Sequence, residues 1–119
     1  MTVKRISELL EAQIYTGGDD LNLEVNSACG ADLMSDVMAF VKENVVLLTG
    51  LVNPQSIRTA DLLDIRVIVF VRGKTPSQDM LASARDSGMI LLSTKCSMFI
   101  ACGRLYEAGL RGSGTREIC

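Results

Sequence analysis

The chain has 119 residues, of which 48% are hydrophobic and 22% charged, and its formal net charge is −2. These values are typical of one globular domain and exclude a disordered chain or a coiled coil. Scattered basic residues, and no apolar run near the roughly 18 residues of a membrane span, predict neither a nucleic-acid partner nor a membrane. The amino terminus lacks the apolar core of a secretory signal, so we expect a cytoplasmic location.

The first elements are predicted from apolar spacing. Segment 2–12 has apolar residues three and four apart, which predicts a short amphipathic helix. A turn is expected over 16–20, and alternation of apolar and polar residues over 21–25 predicts a half-exposed strand. Segment 32–41 carries a second helical stripe with Asp32 as its N-cap.

A weak internal repeat follows, with Val46, Ile68 and Ile90 at equivalent points 22 residues apart. Each lies in a short continuous apolar run, namely 45–48, 67–71 and 89–92. Such runs are typical of strands buried on both faces of a parallel sheet.

Helix starts follow these strands. Asn53-Pro54 and Thr75-Pro76 pair an N-cap residue with proline at the first helical position, which predicts helices over 54–63 and 76–87. Segment 75–78 also resembles a capping box, and Gly88 is a candidate C-cap. A last helix is predicted over 95–110, where Cys96 and Cys102 would pack beside apolar neighbours, namely Phe99, Ile100, Leu105 and Tyr106.

These elements predict one α/β domain, with a mostly parallel central sheet flanked by helices, over residues 1–111. We expect a flexible glycine-rich tail over 112–119. In open α/β sheets ligands bind at the carboxyl ends of the strands, beside helix N-termini. Turn and cap chemistry would explain the polar residues found there equally well. The candidate ligand-binding residues are Thr49, Gly50, Asn53, Arg72, Gly73, Lys74, Ser93, Thr94 and Lys95.

Histidine is absent, which excludes a Ser-His-Asp triad, a Cys-His pair and imidazole-based zinc sites. The cysteines, which lack Cys-x-x-Cys spacing, are interpreted as reduced and mostly buried; a cluster held by all four is the alternative. They are Cys29, Cys96, Cys102 and Cys119. Asp32 and Asp36, four apart, are interpreted as helix-dipole partners, with a divalent-cation site as the alternative. We therefore predict no metal and no cofactor.

Two stretches, 31–39 and 91–110, together resemble the DRTGG domain family over nearly the whole chain. The first reads Ala-Asp-Leu-Met-Ser-Asp-Val-Met-Ala, and the second opens with Leu-Leu-Ser-Thr-Lys and closes with Cys-Gly-Arg-Leu-Tyr-Glu-Ala-Gly-Leu. The namesake pentapeptide is not present, and only Thr16-Gly17-Gly18 matches its end. The resemblance implies a fold like the N-terminal domain of HPr kinase/phosphorylase and, more remotely, those of Mur ligases. It also implies an accessory role beside CBS or phosphotransacetylase domains, and it transfers no catalytic residue.

The leading functional hypothesis is a non-catalytic regulatory module that senses a small anion or a nucleotide. The apolar surplus and six methionines indicate an unburied patch, so we expect a homodimer. The first alternative is an interaction domain that docks on a partner enzyme through this surface. The second is an enzyme that uses Cys29 or the Lys, Arg and Ser loop residues, although no base partner is visible.

Overall fold

A computed structural model describes residues 1–32 and 44–112, and its centre is a six-stranded sheet. The strand order is β1-β5-β4-β3-β2-β6, with β1 antiparallel to β5 and every other pair parallel. The predicted mostly parallel α/β architecture is therefore confirmed. The strands are β1 (Gln13–Ile14), β2 (Ser27–Gly30), β3 (Val45–Thr49), β4 (Val67–Phe70), β5 (Ile90–Ser93) and β6 (Arg111–Gly112).

Helices cover both faces of the sheet. Buried residues of α1 and α4 pack with one face of the strands, and those of α2 and α3 pack with the other. In the described ranges none of these helices is long and apolar enough to cross a bilayer. The helices are α1 (Val3–Leu10), α2 (Pro54–Leu62), α3 (Gln78–Ser87) and α4 (Met98–Glu107), with a 3-10 turn over Gly18–Asp20.

The register of the three central strands corrects the predicted repeat. Val46 lies opposite Val67, which lies opposite Ile90, whereas Ile68 pairs with Leu47. The structural spacing is therefore 21 and then 23 residues, not 22 twice. Because side chains alternate between the two faces of a strand, this shift of one residue places Ile68 in the opposite core from Val46 and Ile90.

Helix starts agree with the sequence at α2 and differ at α3 and α4. The Asn53 side chain accepts a hydrogen bond from the Ser56 amide at 3.0 Å, as an N-cap does. The predicted start of α3 at Thr75-Pro76 is wrong, since Ser77 is the N-cap and the helix begins at Gln78. Similarly, Ser97 caps α4, so the helix begins three residues later than predicted and Cys96 precedes it.

The strand predicted over 21–25 is not formed there. This segment lies beside the start of α1, with one isolated bridge between Glu24 and Thr2. The strand forms later in the chain, as β2 over Ser27–Gly30. The pattern missed β2 because Ser-Ala-Cys-Gly contains no β-branched or large apolar residue.

At the carboxyl end, β6 includes Gly112, the first residue of the predicted tail, and pairs with Ser27 and Ala28 of β2. The rest of that tail lies outside the described residues, as does nearly all of the helix predicted over 32–41.

Candidate anion site at the carboxyl ends of the strands

The end of β3 is organised by Asp32, which follows β2. One Asp32 carboxylate oxygen, Oδ1, accepts from the Gly50 amide at 2.8 Å and from the Thr49 hydroxyl at 3.3 Å. The Thr49 hydroxyl in turn accepts from the Leu51 amide at 3.1 Å, and Thr49 is fully buried. The polar groups predicted here as ligand donors are thus already engaged in shaping the loop.

The hydroxyls that follow β5 are likewise engaged. Ser93 donates to the backbone carbonyl of Lys74, which joins the loop after β5 to the loop after β4. Thr94 donates to the Leu10 carbonyl at 2.7 Å and accepts from the Cys96 amide at 3.2 Å. Both residues are buried, with exposed fractions of 8% and 2%. They hold the loops and the end of α1 in place.

The loop after β4 is a tight turn with an unusual backbone. Arg72 and Gly73 both have positive φ, 59° and 71°, and the Lys74 amide donates to the Val71 carbonyl at 3.1 Å. The Arg72 and Gly73 amides donate to carbonyls in loop 94–96 at 2.8 and 2.9 Å. A left-handed backbone favours glycine, so an arginine there carries a conformational cost of about 1–2 kcal/mol.

Arg72 directs its guanidinium across the edge of the sheet onto Gly50. A Cβ atom at position 50 would collide with the guanidinium, so the missing side chain makes room for it. Within 1–32 and 44–112, the guanidinium has no hydrogen-bond or ion-pair partner. Lys74 and Lys95 are exposed on the two joined loops beside it and are also without such partners among these residues.

The nine predicted residues therefore fall into three groups. Those with hydroxyl or amide side chains serve the fold as loop ties or, for Asn53, as a helix cap. The glycine amides bond within the protein and shape the turns. The cations have no hydrogen-bond or ion-pair partner within 1–32 and 44–112, and the structure places their loops next to one another. Positive charges on neighbouring loops suit a multiply charged anion. The Asp32 carboxylate, beside the end of β3, would repel such an anion and so limits how far it could extend in that direction. The available cations are Arg72, Lys74 and Lys95.

The cysteines do not assemble into a site in the described part of the chain. Cys29 packs on the face of the sheet opposite to Cys96 and Cys102, and no disulfide joins these three. Burial raises the pKa of the Cys102 thiol, which disfavours the nucleophilic thiolate. No cluster of three or more metal-ligating side chains occurs among the described residues. Asp36 and Cys119, the remaining members of the two metal hypotheses, lie outside the described ranges.

The threonine and first glycine of the Thr16-Gly17-Gly18 segment lie at the opposite end of the sheet and are structural. The buried Thr16 hydroxyl donates to the Met89 carbonyl at 2.8 Å and accepts from the Leu91 amide at 3.0 Å. Gly17 has φ 77°, and a Cβ there would contact Ile90 at 2.5 Å. The Thr16 hydroxyl thus bonds the backbone groups at the start of β5 that a neighbouring strand would otherwise pair with. The segment is remote from the candidate anion site.

A second surface lies on α4, whereas the sequence predicted an unburied apolar patch without giving its position. Phe99 and Tyr106 of α4, expected to pack in the core, are 83% and 60% exposed. The prediction was wrong because α4 buries mainly Ala101 and Leu105, and the helix turns its aromatic side chains outward. The regular i, i+3, i+4 apolar spacing of α4 could not show which of its two apolar faces meets the sheet.

No family model matches the sequence, and no curated protein matches it. A solved structure with a similar fold is the crystal structure of the CBS and DRTGG domains of the regulatory region of Clostridium perfringens pyrophosphatase, complexed with its activator diadenosine tetraphosphate. The TM-score is 0.75 at 15% sequence identity, over 98% of this chain and 51% of that one. The chain thus spans about half the length of that structure. At this identity the likeness shows a related fold.

Proposed function

We propose that the chain is a non-catalytic, DRTGG-like regulatory module that binds a small polyanion, such as a nucleotide or a polyphosphate, at the carboxyl ends of β3, β4 and β5. One observation carries the proposal: the Arg72 guanidinium, presented from a strained left-handed backbone, lies over Gly50 with no partner among the described residues. Strain of this kind persists where the surrounding structure enforces it, often at binding sites.

The charges favour a ligand with several negative groups. Arg72, Lys74 and Lys95 extend from two loops that are tied together by backbone hydrogen bonds and by the Ser93 hydroxyl. A guanidinium binds phosphate oxygens through two parallel hydrogen bonds, and the lysines add point charges. Since the whole chain is slightly acidic, the proposed site depends on these three cations and not on the net charge.

The similar structure supports the choice of ligand class, since its regulatory region was crystallised with a dinucleotide polyphosphate activator. An accessory position beside other domains, and a cytoplasmic location, belong to the same proposal. Homodimerisation and docking on a partner enzyme remain predictions that concern a different surface, the exposed face of α4.

A thermal-shift and calorimetric screen tests the proposal, with inorganic tripolyphosphate, ATP, diadenosine tetraphosphate and acetyl phosphate as probes. A ligand at 100 times its dissociation constant stabilises the fold by about 2.7 kcal/mol, which gives a clear rise in melting temperature. We expect tripolyphosphate to bind and the affinity to fall as salt screens the charges.

Arg72→Asn is the decisive variant, because asparagine tolerates a left-handed backbone and removes only the cation. It is expected to weaken tripolyphosphate binding at least about tenfold. Arg85→Gln is the matched control, since Arg85 is an exposed arginine in the last turn of α3, at the opposite end of the sheet. Equal losses in both variants, or no binding of any probe by the folded protein, would refute the anion site.

A further inference from the structure

The exposed face of α4 has a pattern that reads the same in both directions. Aromatic residues lie at Phe99 and Tyr106, and the small residues Cys102 and Gly103 lie midway between them. At 100° per residue Phe99, Gly103 and Tyr106 point to one side of the helix, and Cys102 lies at the border of that side, with its sulfur turned toward Gly30 of the sheet. Together with Met98 and Glu107 they line a shallow groove of about 570 Å³.

We infer that this groove is occupied by the same helix of a second copy of the chain, crossing antiparallel about a two-fold axis between Cys102 and Gly103. A two-fold interface must be self-complementary, because each residue meets the partner's counterpart across the axis. Reversal about this point brings Phe99 against the partner's Tyr106 and Cys102 against the partner's Gly103. Each aromatic ring then meets an aromatic ring, and the helices approach where their side chains are smallest.

The monomer holds this surface in a fixed shape. The Arg111 guanidinium stacks 4.0 Å from the centre of the Tyr106 ring and donates to the Tyr106 carbonyl at 2.7 Å, which restricts the ring. On the sheet side, Gly30 lets α4 lie close, since a Cβ there would contact the Cys102 sulfur at 2.9 Å and the Met98 sulfur at 3.1 Å. A surface ordered in advance loses less conformational entropy on association.

The charges at the ends of the groove are also complementary in the antiparallel arrangement. Glu107, in the last turn of α4, would lie at the first turn of the partner helix. That end carries the positive pole of the helix dipole, which favours a carboxylate. A parallel crossing would instead place the two Glu107 carboxylates together, which is unfavourable.

The available area sets the strength of the expected dimer. Phe99 and Tyr106 would bury on the order of 300 Å² in each copy. This is less than half of the roughly 800 Å² per partner in a standard stable interface. The expected association is therefore weak, with a micromolar to millimolar dissociation constant, and depends on protein concentration.

Sedimentation velocity over a wide concentration range tests the inference on the full chain. The key variant is Gly103→Leu: a Cβ at this position would meet nothing within 4 Å in the monomer, so the larger side chain fits the fold but fills the groove. We expect a reversible wild-type dimer, and at least about tenfold weaker association for Gly103→Leu and for Phe99→Ser. Circular dichroism and the unfolding transition verify that both variants are folded.

Leu62→Ser is the control, because Leu62 is an equally exposed apolar residue, at 85%, but it lies on α2 across the sheet. It should leave the association constant unchanged. A wild-type chain that stays monomeric up to millimolar concentration would overturn the inference. So would a dimer that persists in Gly103→Leu, or one that Leu62→Ser weakens as much. None of these outcomes depends on anion binding, so the two proposals are tested separately.

Discussion

The carboxyl-end edge of the sheet and the exposed face of α4 use residue types in opposite ways. At the edge, the hydroxyl side chains that resemble ligand donors are buried in the fold and Asn53 caps a helix, whereas the cations have no partner among the described residues. On α4, aromatic side chains that resemble core residues face outward. The difference arises because a polar group near the sheet must be satisfied by the nearest backbone, whereas an apolar helix face is buried only if a second surface covers it. Residue type therefore shows which interactions a side chain can make, whereas the contacts in the folded chain show which of these it does make.

The largest expected effect separates the two faces of α4. Leu105→Ala should lower the free energy of unfolding by about 3 kcal/mol, because it opens a cavity at a residue that is 1% exposed. Phe99→Ala should change it by less than about 0.5 kcal/mol in the dilute monomer. Urea denaturation at low protein concentration measures both. A large loss for Phe99→Ala would mean that this aromatic ring belongs to the core.

Next in size is the loss of a buried hydroxyl at the strand ends. Thr94→Val keeps the shape but leaves the Cys96 amide without its partner and the Leu10 carbonyl with only the weak Cys96 thiol contact at 3.9 Å, so we expect a loss of about 2 kcal/mol. The matched control is Thr75→Val in an exposed loop. Similar denaturation midpoints for the two variants would show that Thr94 is not a tie of the fold.

A smaller effect of opposite sign is expected at the strained turn. Arg72→Gly should stabilise the protein by about 0.5–1 kcal/mol, since glycine accepts φ near 59° without the steric cost. The same change should weaken tripolyphosphate binding at least about tenfold, because it removes the guanidinium. Asp64→Gly, at another left-handed position with φ 61°, should stabilise by a similar amount and leave binding intact. A destabilised Arg72→Gly would argue against stored strain.

The smallest effect concerns Cys102. Burial raises the pKa of this thiol in the folded state, so the folded chain holds the proton more tightly than the unfolded chain. The corresponding contribution to stability is fully present below the ordinary thiol pKa and is lost as the pH rises through the folded value. Iodoacetamide should alkylate Cys102 more slowly than the same thiol in urea at mildly alkaline pH. Equal rates would contradict burial of the sulfur.

Much of the fold follows from local patterns in the sequence. Continuous apolar runs located the three central strands, and Asn53-Pro54 and Gly88 located a helix start and a helix end. The missed strands, β1, β2 and β6, are short, contain few large apolar residues and are stabilised by pairing with distant segments. Such pairing is a tertiary property that local propensity does not encode.

The candidate site was predictable in place but not in composition. The rule that strand ends meet at one edge brought the loops after β3, β4 and β5 together. It could not show that Thr94 would reach the Leu10 carbonyl, 84 residues away, or that Asp32 would occupy the Gly50 amide. The Arg72 backbone strain was also invisible, because a left-handed arginine leaves no mark in composition or spacing.

The central claim, that the cations and not the hydroxyls of the strand ends form the binding surface, is tested most directly by an amide NMR titration with tripolyphosphate. The account predicts that shifts concentrate at Gly50, Arg72, Lys74 and Lys95, with the α4 face unchanged. Arg72→Asn should raise the tripolyphosphate concentration needed for these shifts at least about tenfold, whereas Arg85→Gln should leave that concentration unchanged. Shifts centred on α4 or at the opposite end of the sheet, or no shifts at all, would contradict the account.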